Sequence, residues 1–287
     1  MKRIKALLVV FIAISLLCSC KKTVDNTLVL ILFDNSRSTA SPDSRTGPVE
    51  DRRPDFLRAS AEIVSSAGPG VTIQAGRIND QSLRVTNLPV NVTFPSYNPV
   101  FDNPNIFKDK LLKAKREAIT QIGHTINDEE RSNQTCIVDS LILAEQTFQR
   151  STHARKILVI ASDMIEDCGA IDFDANPRPG TRSLPRNSDQ LNRLLAELKQ
   201  EQKTPNLKGA EVYIYGATGG QKQDDTSARF ILTRNWWKAY FQAAGADMKD
   251  YGVFLNPPVF ENSAGNIRLK PDDLGAFPTS GPAKPNN

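Results

Sequence analysis

Leu28 to Ser38 reads LVLILFDNSRS. Leu28 through Phe33 are all apolar, and the run stops abruptly at Asp34-Asn35-Ser36-Arg37-Ser38. A run so short and so uniformly apolar, closed by turn-type residues, fits a strand buried on both faces of a parallel sheet. The polar residues then fall at the strand's carboxyl end, where open α/β sheets bind their ligands. Asp34, Ser36 and Ser38 put one carboxylate and two hydroxyls on a single loop. Hard oxygen donors of this kind suit Mg²⁺ or Mn²⁺ better than zinc.

Working outward, a second run of the same kind, Lys156 to Ala161 (KILVIA), also ends in polar residues, Ser162-Asp163. Helical periodicity covers Pro54–Ala67, with Phe56, Ala59, Ile63 and Val64 on one face, and Gly68-Pro69-Gly70 closes it. Val71, Ile73 and Ala75 alternate as a strand. Leu83 to Phe94 reads as a third strand, which Pro89 places at an edge, and the Asn79-Asp80-Gln81 turn makes the two an antiparallel hairpin. Ile106–Ile122 and Ile137–Phe148 read as amphipathic helices, with His124 in the loop between them. Ser188 is placed to cap a helix striped by Leu191, Leu194, Leu195 and Leu198. Ala210–Tyr215 is a fifth strand, Phe230, Trp237, Tyr240 and Phe241 line the next helix, and Tyr251–Leu255 is a sixth strand. Strands alternating with helices predict an α/β fold: a doubly wound, mostly parallel six-stranded sheet with helices on both faces and one antiparallel edge strand. There is no internal repeat and no coiled-coil run.

The D-x-S-x-S pattern Asp34-Asn35-Ser36-Arg37-Ser38 after a buried first strand resembles the von Willebrand factor A family. Gln134-Thr135-Cys136-Ile137-Val138-Asp139-Ser140-Leu141 resembles the family's segment in which a Thr precedes a central helix. Asp163, closing KILVIA, matches the family's Asp at the end of the fourth strand. The resemblance runs from about Asn26 to Leu255. It implies the strand order 3-2-1-4-5-6, which sets Leu28–Phe33 beside Lys156–Ala161. It also implies a metal-ion-dependent adhesion site built from Asp34, Ser36, Ser38, Thr135 and Asp163. That site would hold Mg²⁺ or Mn²⁺ and leave a coordination position for a carboxylate from an Asp or Glu of a protein partner. Many family members have Asp directly after the Thr, whereas this chain has Cys136. That departure removes no ligand but changes the surrounding hydrogen bonds.

The first residues read as targeting. Met1–Lys5 is basic and Ala6–Leu17 is apolar but too short to span a bilayer. Leu17-Cys18-Ser19-Cys20 resembles the lipobox of bacterial lipoproteins, which implies cleavage before Cys20 and its lipidation. The alternative is an ordinary secretory signal with incidental cysteines. Lys21 and Lys22 in place of Asp favour the outer over the inner membrane under the family's sorting rule. The organisation expected is a signal peptide at 1–19, a lipidated tether at 20–26, a von Willebrand A-like domain at 27–256 and a Pro-rich, largely disordered tail at 257–287. Of the formal charge of +4, Lys2, Arg3 and Lys5 lie in the leader, leaving +1. A near-neutral remainder gives no electrostatic case for nucleic acid. With Cys18 in the leader and Cys20 as anchor, Cys136 and Cys168 remain as an even pair in an oxidising compartment. If Thr135 and Asp163 approach one ion, these cysteines share its rim and form a disulfide; the alternative is two free thiols in separate loops.

Other signals are weaker. Gly216-Ala217-Thr218-Gly219-Gly220 follows a strand but lacks the spacing of a nucleotide fingerprint. His124 and His153 are the two histidines, and His153 precedes the fourth strand, at the end of the sheet away from the candidate ligands. Trp236 and Trp237 read as packing residues. Glu166, Asp167, Asp172 and Asp174 read as a solvated loop, with partner selection as the alternative. The expectation is therefore a binding protein and not an enzyme. The rivals are a metal-dependent hydrolase on the same oxygens, for which no general base is placed, and a scaffold with a vestigial site.

Overall fold

Thr27–Asp34 forms strand β1, with all eight residues buried. It is buried because it lies between two parallel neighbours, β2 (Thr72–Ile78) and β4 (Arg155–Ala161). The computed structural model describes residues 26–36, 52–80, 88–98, 100–127, 132–174, 176–218 and 227–260. Cys20, Ser38 and the tail beyond residue 260 lie outside the described residues. With β3 (Val90–Thr93), β7 (Ala210–Tyr215) and β8 (Asp247–Gly252), the main sheet runs β3-β2-β1-β4-β7-β8. Every pairing in it is parallel except β2 with β3. Counting only strands of this sheet, the order is the expected 3-2-1-4-5-6, and the fold is doubly wound α/β.

Alternate residues of β1 serve opposite faces, as a period of two requires. Val29, Ile31 and Phe33 pack with Phe56, Ile63, Leu111 and Ile119, from helices α1 (Arg53–Ser66) and α2 (Pro104–Asn127). Leu28, Leu30 and Leu32 pack with Leu141, Leu198 and Trp237, from α3 (Ile137–Arg150), α4 (Ser188–Gln200) and α5 (Ala228–Ala243). Burying a Leu- or Ile-sized side chain contributes about 1.5–3 kcal/mol, so a strand buried on both sides is a main source of stability. Residues up to Phe260 stay against this body: Arg155 lies over the Phe260 ring and donates to the Val259 carbonyl.

Several elements differ from the sequence expectation. His124 sits in the last turn of α2 and not in a loop, because the inward stripe continues through Ile122 and Ile126. Asn187, not Ser188, caps α4: its Oδ1 accepts from Gln190 N at 2.9 Å. Asn187 has the extended backbone that an N-cap needs. The last strand is Asp247–Gly252, four residues before the expected start at Tyr251. It is an edge strand with an exposed, charged face, so its sequence does not read as apolar. The third strand holds Val90–Thr93, and the earlier part of the expected 83–94 stretch falls largely on undescribed residues. The segment after Asp163 is not simply solvated. It contains a small ladder of β5 (Asp167–Cys168) and β6 (Ile171–Asp172), and Glu166 and Asp172 are buried.

Candidate functional site

β1 and β4 run in register to Phe33 and Ala161, so their next residues meet at the sheet's carboxyl edge. Asp34 Oδ1 accepts from Ser36 N at 2.9 Å, a local bond of the Asx type. Asp34 Oδ2 accepts from Ser162 Oγ at 2.7 Å across the strand pair. Beyond β4 the same local pattern recurs: Asp163 Oδ1 accepts from Ile165 N at 3.0 Å, and Ser162 Oγ from Met164 N at 2.9 Å. Met164 has φ 65°, the left-handed region that non-glycine residues avoid. The Trp237 indole N–H holds it there by donating to the Met164 carbonyl at 2.9 Å.

The third segment arrives beside the first. Ser132 N donates to Asn35 O at 3.3 Å, and Ser132 forms a parallel bridge with Ser36. Three residues on, Thr135 O accepts from Asp167 N at 3.0 Å. Thr135 therefore lies between the end of β1 and the loop after β4. Asp34, Ser36, Thr135 and Asp163 are 2%, 3%, 3% and 7% exposed, so the polar cluster is withdrawn from bulk water.

Burial raises the Asp34 carboxyl above its ordinary range, against the hydrogen bonds from Ser162 and Ser36 and the charge of Arg52. Asp163 is pushed up to about 7, first by burial and then by the charge of Asp34. The Ile165 N–H, Arg52 and Arg229 pull the other way. Two buried carboxylates this close resist ionising together, and a divalent cation would remove that penalty. An all-oxygen set of two carboxylates and hydroxyls fits Mg²⁺ or Mn²⁺. The donor types of Asp34, Ser36, Thr135 and Asp163 would suit such an ion.

Ser162, Arg52 and Arg229 were not legible as site residues. Ser162 stands directly before Asp163, and that adjacency was its one signal. Arg52, just before α1, donates from Nη1 to Gly216 O at 2.6 Å. Gly216 (φ 81°) also borders a cavity of about 160 Å³ between α1 and the ends of β7 and β8, with Phe56, Tyr215 and Phe254 among its walls.

Cys136 and Cys168 are disulfide-bonded, with Cα atoms 4.9 Å apart. Their sulfurs and the Asp139 carboxylate cluster closely enough for a metal, but bonded sulfurs offer no thiolate. Glu166 Oε2 accepts from Val138 N at 3.0 Å, at the amino end of α3. Burial raises the Glu166 carboxyl well above its ordinary range. Arg178 joins Asp172 at 2.9 Å and Asp167 at 2.8 Å, which ties the small ladder together. His153 Nε2 meets Thr72 Oγ1 at 2.9 Å, at the opposite end of the sheet. Among the described residues no helix is long and apolar enough to cross a membrane.

No family model matches the chain, and no curated protein does. Solved structures share its fold distantly. The PilB minor pilin of Streptococcus sanguinis is 14% identical, with a TM-score of 0.43, over 80% of this chain and 57% of that one. The pilus adhesin SpaC of Lactobacillus rhamnosus GG is 12% identical, with a TM-score of 0.42, over 80% and 28%. A von Willebrand factor type A structure from Catenulispora acidiphila is 12% identical, with a TM-score of 0.34, over 76% and 43%. The chain thus matches well under two thirds of the length of these three.

Proposed function

We propose that this chain is a cell-envelope binding protein. Asp34, Ser36, Ser38, Thr135 and Asp163 would hold Mg²⁺ or Mn²⁺, to which a carboxylate from an Asp or Glu of a protein partner would attach. The observation that carries this reading is the buried pair Asp34 and Asp163 at the sheet's switch point, each raised by burial. Thr135 and Ser36 are buried in the segments beside them. The burial of Asp34, Ser36, Thr135 and Asp163, residues of the pattern that resembles the von Willebrand A family, supports this reading. When bound, the ion supplies a Lewis-acidic attachment point, and the chain's own task is to hold it and shield it from water. Both carboxylates are taken up by the ion and His153 is at the far end of the sheet, so the reading is binding and not hydrolysis.

The disulfide supports an oxidising compartment. The basic and apolar leader favours export, the lipobox-like Leu17-Cys18-Ser19-Cys20 favours attachment through a lipid on Cys20, and Lys21-Lys22 favours the outer rather than the inner membrane. Affinity capture from solubilised membranes tests the function. The wild-type chain should retain a partner in Mg²⁺ and lose it in chelator. Asp163→Ala should retain none in either condition while keeping the wild-type circular-dichroism spectrum. Equal capture in all four conditions would leave a metal-free scaffold.

A further inference from the structure

Three ties, through Asp167, Cys168 and Glu166, join the segment carrying Thr135 to the loop that follows Asp163. Asp167 N donates to Thr135 O at 3.0 Å. Cys136 is bonded to Cys168. Glu166 Oε2 accepts from Val138 N at 3.0 Å, and Glu166 also accepts from the Ile137 amide. The partners are consecutive on both sides, residues 135–138 against 166–168. Glu166 is 1% exposed. It supplies to α3 the cap that its own N-cap residue, Cys136, does not make. The loop side is itself anchored, through Phe173 N to Glu166 O at 2.7 Å and Trp237 to Met164 O. Where the sequence resembles a family with Asp after the Thr, this chain has a cysteine, and that cysteine is one of the three ties.

We propose that Glu166 and the Cys136–Cys168 disulfide are positioning residues for the candidate metal site. They fix Thr135 relative to Asp163, so metal affinity depends on them although neither contacts the ion. The proposal rests on the metal-binding reading above. If Glu166 and the disulfide are both removed, only the Asp167–Thr135 hydrogen bond of the three ties remains. Thr135 would then be held to the loop after Asp163 by that one bond, while Ser132 keeps its segment on the β1 side through Asn35.

Calorimetric titration of the purified full chain with Mn²⁺ tests this, alongside amide exchange of the metal-free protein. Glu166→Ala and the double variant Cys136→Ser/Cys168→Ser should each weaken Mn²⁺ binding about 10-fold or more, as loss of supporting contacts does at metal sites. Exchange at residues 135–138 should accelerate in both. Glu166→Gln keeps an acceptor oxygen and should recover most of the affinity. Leu198→Ala, a buried substitution in α4, should lower the melting temperature and leave Mn²⁺ affinity unchanged. If the wild type binds Mn²⁺ and both disrupted variants bind as tightly, the positioning role is overturned alone. If the wild type takes up no Mn²⁺, the metal reading fails and takes this proposal with it. Should Glu166→Ala not fold, the double serine variant, which keeps Glu166, carries the test.

Discussion

Asp163 joins the cost of burial to the proposed gain of a bound cation. Its carboxyl is pushed up to about 7, so in the metal-free protein the folded state keeps a proton that the unfolded state gives up near 3.8. Stability from this group is therefore full below pH 4 and is lost as pH rises through 7. Asp163→Asn keeps an acceptor for Ile165 N but cannot ionise. Without metal it should melt at or above the wild-type temperature at pH 8, with a flatter pH profile between 5 and 8, and with metal it should gain nothing. Thermal melts at the two pH values with and without Mn²⁺ check this, and a metal-free Asp163→Asn that melts well below wild type at pH 8 would contradict it. Asp34, Ser36, Thr135 and Asp163 were legible because each ends or begins a strongly patterned element. Ser162 and Arg52 were not, because what they do depends on approach between segments far apart in sequence, 128 residues in the case of Ser162 and Asp34.

Helices α1 and α2 are joined by a buried cation. Lys115 Nζ donates to Ser65 O at 2.7 Å and lies 5.8 Å from the centre of the Phe94 ring. Burial lowers the Lys115 amine to about 8 from its ordinary 10.5. Between those values the unfolded chain holds a proton that the folded chain has released, so stability from this group rises with pH through that window. Lys115→Met should remove that rise. Denaturant unfolding of both proteins at pH 7.5 and 9.5 should show the wild type gaining on the variant at the higher pH, and parallel behaviour would contradict this. The sequence showed α2 as an amphipathic helix but gave no sign that a lysine lay on its buried face, since long side chains usually carry their charge to water. Element boundaries slipped for related reasons. β8 is an edge strand whose exposed positions take Asp and Lys, and its pairing with β7 is visible only in three dimensions.

For the whole molecule, the alternation of strands with helices predicted the sheet, and two runs, LVLILF and KILVIA, marked its centre, because residues buried on both faces have few alternatives. The candidate site was named from the same reading, because strand ends converge at the switch point. What the chain binds does not follow from its fold. Anchoring is tested by Cys20→Ala, which should release the protein from the membrane fraction or stall its processing; unchanged fractionation and gel mobility would refute the lipid attachment. The sheet's stability lies in its apolar runs and not in the ligand loops, so site variants should fold while losing the ion. A bound cation at ~100 times its dissociation constant would add about 2.7 kcal/mol to stability by mass action. The most direct test of the central claim is isothermal titration of the purified chain with Mg²⁺ and Mn²⁺, wild type beside Asp34→Ala. Saturable binding by the wild type and none by the folded variant is the predicted result. No wild-type binding at millimolar metal, or equal binding by Asp34→Ala, would contradict it.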